Sequence, residues 1–241
     1  MSPPDRSARR DPASAWRDTA SGVTARAGER SVDLGGHPGL LVKPRGANAL
    51  YVLAHGAGAG MRHEFMEKLA DALAEQKIAT VRWDMPFMAA GKGRVDKPEI
   101  AERAVREAVT AGAVIARRSK LPVFAGGKSF GGRMTGRAHA AEALPVRGLV
   151  FVGYPLHPPK APATERAEHL LAAAGTLGPM LFLQGTRDDL ADLSLLRPIV
   201  KKVGGDLHVV EGADHGFTRS GNVSELATTI RASQGPQGIL R

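Results

Sequence analysis

Cysteine is absent from the 241 residues, and aromatic side chains make up only 5% of them. No apolar stretch approaches the width of a bilayer. Each absence removes a class of explanation. Without cysteine there is no disulfide, no thiolate nucleophile and no Cys-ligated zinc, which fits a reducing compartment and a cytoplasmic location. So few rings offer little platform for stacking bases. The apolar segments, such as residues 148–152, fall far short of the roughly 20 residues a spanning helix needs, so no membrane role is expected. Nothing in the pattern calls for a metal ion or a cofactor.

The length allows one large domain or two small ones at about 150 residues each. A chain of this size buries roughly 70% or more of its unfolded surface and needs no covalent staples. The net charge of +9 invites a polyanionic partner. The basic residues are scattered, however, and only Arg9-Arg10, Arg117-Arg118-Lys120 and Lys201-Lys202 are close neighbours. That reads as a soluble, arginine-rich surface, and specific nucleic-acid binding is not expected. No pattern speaks to oligomeric state. Residues 1–30 mix Ser, Pro, Asp, Arg and Ala without periodicity and read as a disordered leader. Arg9-Arg10 is followed by Asp11-Pro12 and no apolar stretch, so it is not expected to act as an export signal. The domain proper is expected over 31–233, with a flexible tail over 234–241.

From Leu34 onward the pattern is regular. Strands are expected at GLLVKP (39–44), ALYVLAHG (49–56), IATVRWDM (78–85), LPVFAG (121–126), GLVFVG (148–153), PMLFLQG (179–185) and DLHVVEG (206–212). Residues 62–76 place Phe65, Leu69, Ala72 and Leu73 on one helical face, and 98–118 carry Ala101, Val105, Ala108, Gly112 and Ile115 on another. Further helices are expected near 131–143, 163–174, 190–203 and 223–233. Strands alternating with helices imply a mostly parallel sheet with helices on both faces. Active residues on such sheets lie just beyond the carboxyl ends of the strands.

Gly127-Lys128-Ser129 could close a phosphate-binding loop, but the leading glycine of that motif should stand at position 122, which is Pro122. Gly56-Ala57-Gly58-Ala59-Gly60 fails a dinucleotide fingerprint in the same way, because Met61 stands where glycine is required. Gly127-x-Ser129-x-Gly131 fits better as a turn between strand and helix that presents a serine nucleophile. Its flanking positions must lack Cβ atoms to clear neighbouring backbone. Lys128 reads as structural, since adjacent residues on a sharp turn diverge.

A serine needs a base, and in this architecture an acid and then a histidine follow it in chain order. Thr186-Arg187-Asp188-Asp189 follows one late strand and Ala213-Asp214-His215-Gly216-Phe217 the next. Of eight histidines, His215 alone has this placement. It is assigned as base, with Asp188 as its orienter, Asp189 as fallback, and Asp214 disfavoured because it adjoins the histidine. The amides of Phe130 and Ala57, with Gly58 next after Ala57, are the candidate oxyanion donors. Met61, Phe65, Met85, Phe87 and Tyr154 are candidates for an apolar pocket wall. Of these, Met61, Phe87 and Tyr154 are the residues singled out for substrate binding. The connection over 154–178 is long enough to form a small lid. Its Arg166 and His169 lie one helical turn apart, and fit a solvated helix face better than an anion site.

Taken as a set, HGAGAGMRHEFM (55–66), RWDMPFM (82–88), GGKSFGGRM (126–134), GYPLHPPKAP (153–162), FLQGTRD (182–188) and GADHGF (212–217) resemble the α/β-hydrolase superfamily, in its dienelactone-hydrolase-like branch. The nearest likeness is to a small family of uncharacterised bacterial hydrolases related to the hydrolase-like domain of a chromatin-complex regulatory subunit. The resemblance spans about residues 32–233. It implies an α/β-hydrolase fold with Ser129, Asp188 and His215 as triad, acting on a small-molecule ester or thioester. Dienelactone hydrolases proper use a cysteine nucleophile, which this chain lacks. A catalytically silent hydrolase fold serving as an interaction module is the alternative.

Overall fold

The computed structural model describes residues 28–234. Most of the expected leader and nearly all of the expected tail therefore lie outside the described residues. Five strands are consecutive runs of buried residues: β3 (Ala49–Ala54), β4 (Ile78–Trp83), β5 (Val123–Lys128), β6 (Gly148–Val152) and β7 (Met180–Gly185). Burial on both faces is what makes them apolar without alternation. With β1 (Glu29–Asp33), β2 (Pro38–Val42) and β8 (Asp206–Val210) they form one eight-stranded sheet, ordered β1-β2-β4-β3-β5-β6-β7-β8. Pairing is parallel from β4 to β8, and antiparallel where β2 meets β1 and β4.

Strand β1 begins two residues before the expected start of the domain and had no counterpart among the expected strands. Its sequence, ERSVD, is polar, and its residues are half-buried or exposed, as an edge strand's are. The other strands fall within two residues of expectation, most of them ending sooner than the apolar stretch does.

Helices cover both faces. Helix α1 (Glu64–Glu75) buries Phe65, Met66, Leu69, Ala70 and Leu73. It shares one core with α7 (Asn222–Ser233), through Leu226 and Ile230, against Tyr51, Leu53 and Phe124 of the sheet. The opposite face is covered by α3 (Pro98–Arg117), α4 (Phe130–Ala141), α5 (Glu168–Ala172) and α6 (Leu193–Lys202). Helix α3 starts on Pro98, where the missing amide would be unsatisfied anyway. A single turn, α2 (Pro86–Ala89), follows β4 and was not expected, being too short to show a period.

The strand order reverses direction around β3. The chain leaves β3 outward to β4 on one side and later returns to β5 on the other. The loops after β3 and β5 thus diverge from neighbouring strand ends, leaving a crevice between them. Ser129 and Gly56 lie side by side where the two loops begin. The connection over 154–178 packs down onto the fold: Leu156, Ala167 and Leu170 are fully buried.

Candidate active site

Ser129 links β5 to α4 with φ 49° and ψ −116°, a conformation outside the range ordinary residues favour. The tightness of the turn explains the glycines around it. An ideal Cβ on Gly127 would lie 2.2 Å from the Ala54 carbonyl oxygen, and one on Gly131 2.4 Å from that of His55. Both distances are below any real contact, so β5 and α4 reach β3 this closely only with hydrogen at both positions. The result is a serine held beside the loop that follows β3. A Cβ on Gly56 would be 3.7 Å from the Cβ of Ser129.

His215, in the loop after β8, brings its Nε2 to 2.9 Å from Ser129 Oγ. Its Nδ1 lies 2.9 and 2.8 Å from the two oxygens of Asp188, in the loop after β7. The buried carboxylate is further constrained. Oδ1 accepts the Leu190 amide at 2.9 Å, and Oδ2 accepts Gln184 Nε2 at 2.5 Å. Gln184 is fully buried and its Oε1 in turn accepts the Tyr154 amide at 2.9 Å. Asp189 is exposed. Asp214 instead accepts Thr218 N and Oγ1 at 3.1 and 2.8 Å, which closes the turn beyond His215.

The loop after β3 is fastened from behind by the end of β4. Asp84 Oδ1 accepts the Met61 amide at 2.7 Å, while Arg82 Nη1 donates to the Met61 carbonyl at 2.9 Å. Buried His55 accepts the Met85 amide on Nε2 at 3.0 Å and donates from Nδ1 to the Gly56 carbonyl at 2.7 Å. Those two bonds specify a neutral ring, and burial pushes its pKa below the ordinary histidine range against the pull of the Gly56 bond and of Asp84. Ala57 and Gly58 are exposed in this loop, and among the described residues their amides donate to no backbone carbonyl. Phe130 opens α4, where the first amides have no intrahelical acceptor.

The residues read as pocket wall divide. Met61 and Phe65 keep 8% and 9% exposure, whereas Met85 is fully buried and Phe87 and Tyr154 keep 1% each. Phe87 packs edge-on against His55 and Phe130 at 5.5 and 6.0 Å between centroids. Tyr154 packs on Phe151 and Phe182, and its hydroxyl donates to the Arg166 carbonyl at 2.7 Å. These two rings back the site from within the core. Arg166 Nη1 donates to the His157 carbonyl at 3.1 Å. His169 is held neutral, its pKa pushed down to about 3 by burial and then by Arg137 and Arg133. A cavity of about 410 Å³ flanks the loop that carries His215, lined by His63, Phe65, Gly216, Phe217, Arg219 and Val223 among others, and by none of Ser129, Asp188 and His215.

Sequence reasoning placed Ser129, Asp188 and His215 at strand ends on one rim, and the structure brings the three into contact. It missed Gln184, Arg82 and Asp84. Asp84 had a signal, since it too stands just beyond a strand's carboxyl end. Gln184 and Arg82 lie within strands and had none.

A family model described as Alpha/beta hydrolase domain matches residues 47–233. Among solved structures, the chain is similar to a dienelactone hydrolase from Anabaena variabilis, at 20% identity over 85% of this chain and 94% of that one, TM-score 0.66. An alpha-beta serine hydrolase homologue from Coxiella burnetii matches at 19% identity over 88% and 100% of the two chains, TM-score 0.65. An α/β serine hydrolase without lid from Xanthomonas campestris matches at 18% identity over 87% and 95%, TM-score 0.63. At these identities the three likenesses speak to fold.

Proposed function

The chain belongs to the alpha/beta hydrolase domain family, and on that premise we propose that it is a serine hydrolase cleaving a carboxylic ester or thioester of a small substrate. The observation that carries this reading is the unbroken relay from Ser129 Oγ to His215 Nε2 at 2.9 Å and from His215 Nδ1 to Asp188 at 2.8 Å. In the first half-reaction Ser129 Oγ bonds to the carbonyl carbon while its proton passes to Nε2. Asp188 holds the Nδ1 proton in place and stabilises the imidazolium that forms. Negative charge gathers on the carbonyl oxygen, where the amides of Ala57 and Phe130 receive it. The tetrahedral adduct then collapses, the alcohol or thiol leaves with the Nε2 proton, and an acyl-enzyme remains. Water repeats the sequence with His215 as base and frees the acid.

Met61 keeps surface for a substrate to touch, while Phe87 and Tyr154 shape the wall from behind. The narrower likenesses, to the dienelactone-hydrolase-like branch and to the family related to the chromatin-complex subunit, belong to the same reading. Short p-nitrophenyl esters and a fluorophosphonate probe test it. Wild type should turn over the esters and be labelled on Ser129, and Ser129→Ala should lose about four to six orders of magnitude in kcat. A folded wild type inert to both would leave the interaction-module alternative in its place.

A further inference from the structure

Lys128 precedes the nucleophile, yet its side chain does not point into solvent. Only 8% of it is exposed. Its ammonium stands 5.8 Å from the ring centroid of Phe65 and 5.5 Å from that of Phe217, and it donates to the backbone carbonyl of His215 at 2.6 Å. An ideal Cβ on Gly153, whose φ is 61°, would meet Nζ at 3.0 Å and Asp188 Oδ2 at 3.5 Å. The ammonium and the triad carboxylate therefore flank one bare Cα. Burial pushes the lysine's pKa down to about 8 against the attraction of Asp188 and Asp214.

A methionine in this slot would fill the space between the rings without desolvating a charge, and replacing buried charges by apolar groups is often neutral or stabilising. Packing alone does not account for an ammonium here. What the ammonium adds is a charge-assisted bond to the residue that carries the base, made from the residue adjoining the nucleophile.

We propose that Lys128 is a positioning residue that ties the His215 loop to strand β5, holding the imidazole in register with Ser129. This rests on the hydrolase reading above. The lysine touches neither substrate nor the reacting atoms. It acts through His215, whose own loop after β8 is otherwise joined to the β5–α4 turn, among the described side-chain hydrogen bonds, only by the Nε2–Ser129 Oγ contact itself.

Lys128→Met tests it. With the tie removed, kcat on a p-nitrophenyl ester should fall about a hundredfold, the order expected for misplacing a catalytic group by an ångström. KM and the thermal midpoint should hold, and fluorophosphonate labelling of Ser129 should slow in step with kcat. A purely structural lysine would lower the midpoint and leave the folded fraction's kcat alone. Because the chain has no cysteine, Lys128→Cys introduces a single thiol that can be alkylated in denaturant and refolded. Aminoethylation rebuilds a lysine-length amine and should restore kcat towards that of refolded wild type, whereas propylation, similar in size but without the charge, should not. This pair decides the matter even where the methionine variant folds poorly. Wild-type kcat in Lys128→Met, or equal rescue by both alkyl groups, overturns the proposal and leaves the hydrolase reading standing. A wild type inert in both assays removes both.

Discussion

Asp188 does more than face a histidine. Its two oxygens accept from His215, Gln184 and the Leu190 amide. Every one of those partners is a donor, so the site is built for a carboxylate and not for a neutral isostere. Asp188→Asn would present a carboxamide NH2 where Nδ1 of His215 and Nε2 of Gln184 now donate, and the wrong histidine tautomer would follow. We expect kcat for ester hydrolysis to drop about ten-thousandfold with little change in fold, measured by steady-state kinetics beside a circular dichroism melt. The serine, histidine and aspartate were each legible in the sequence because they occupy the position just after a strand. Gln184 was not, because a glutamine inside an apolar strand gains a role only from a carboxylate four residues on and a backbone amide thirty residues back.

Strand β1 and the end of β4 show what a polar edge contributes. Arg82 is completely buried in β4, paired with Glu29 of β1, with Glu67 of α1 at 3.9 Å. Its other bond holds the Met61 carbonyl, so the edge strand is joined through one guanidinium to the loop that carries Ala57. Glu29→Ala would leave much of that charge uncompensated in the interior. The expected loss of stability is about 3–5 kcal/mol, read from urea unfolding, and ester turnover should weaken as the loop loosens. None of this was visible beforehand. ERSVD has neither the apolar content nor the alternation that marks a strand, and an arginine in IATVRW looks like a surface residue until both faces of β4 are covered. The connection over 154–178 is a similar case. Its length fits a lid, but Leu156, Ala167 and Leu170 find places in the core and draw the segment down onto α4.

Stability of the whole molecule should carry a mark of this packing in acid. His169 has its pKa pushed from 6.5 to about 3. Below 6.5 the unfolded chain takes up a proton that the folded one refuses. Its contribution to stability is therefore complete above that value and is lost as pH falls toward 3. By pH 4.5, two units below the unfolded value, the loss from this group amounts to about 3 kcal/mol. His169→Gln should accordingly lose less stability than wild type between pH 7 and 4.5. Urea unfolding at both pH values checks it, and equal losses would mean the imidazole is not sheltered. Among the described residues no helix is long and apolar enough to cross a membrane, and no cluster of three or more His, Cys, Asp or Glu residues is placed to hold a metal ion.

Residue order alone was enough for the alternating strands and helices, for the parallel core of the sheet, and for setting a serine, an acid and a histidine beyond strand ends. Those depend on local regularities: apolar residues recurring at a period, glycines two positions either side of a serine, an acid and a histidine following later strands in turn. Folding decided which of the polar residues would meet. Lys128 beneath His215, Gln184 beneath Asp188, and Arg82 with Asp84 behind the post-β3 loop are contacts between segments distant in sequence. A contact of that kind depends on how the strands are ordered and how closely they approach, and neither leaves a periodic trace in the chain.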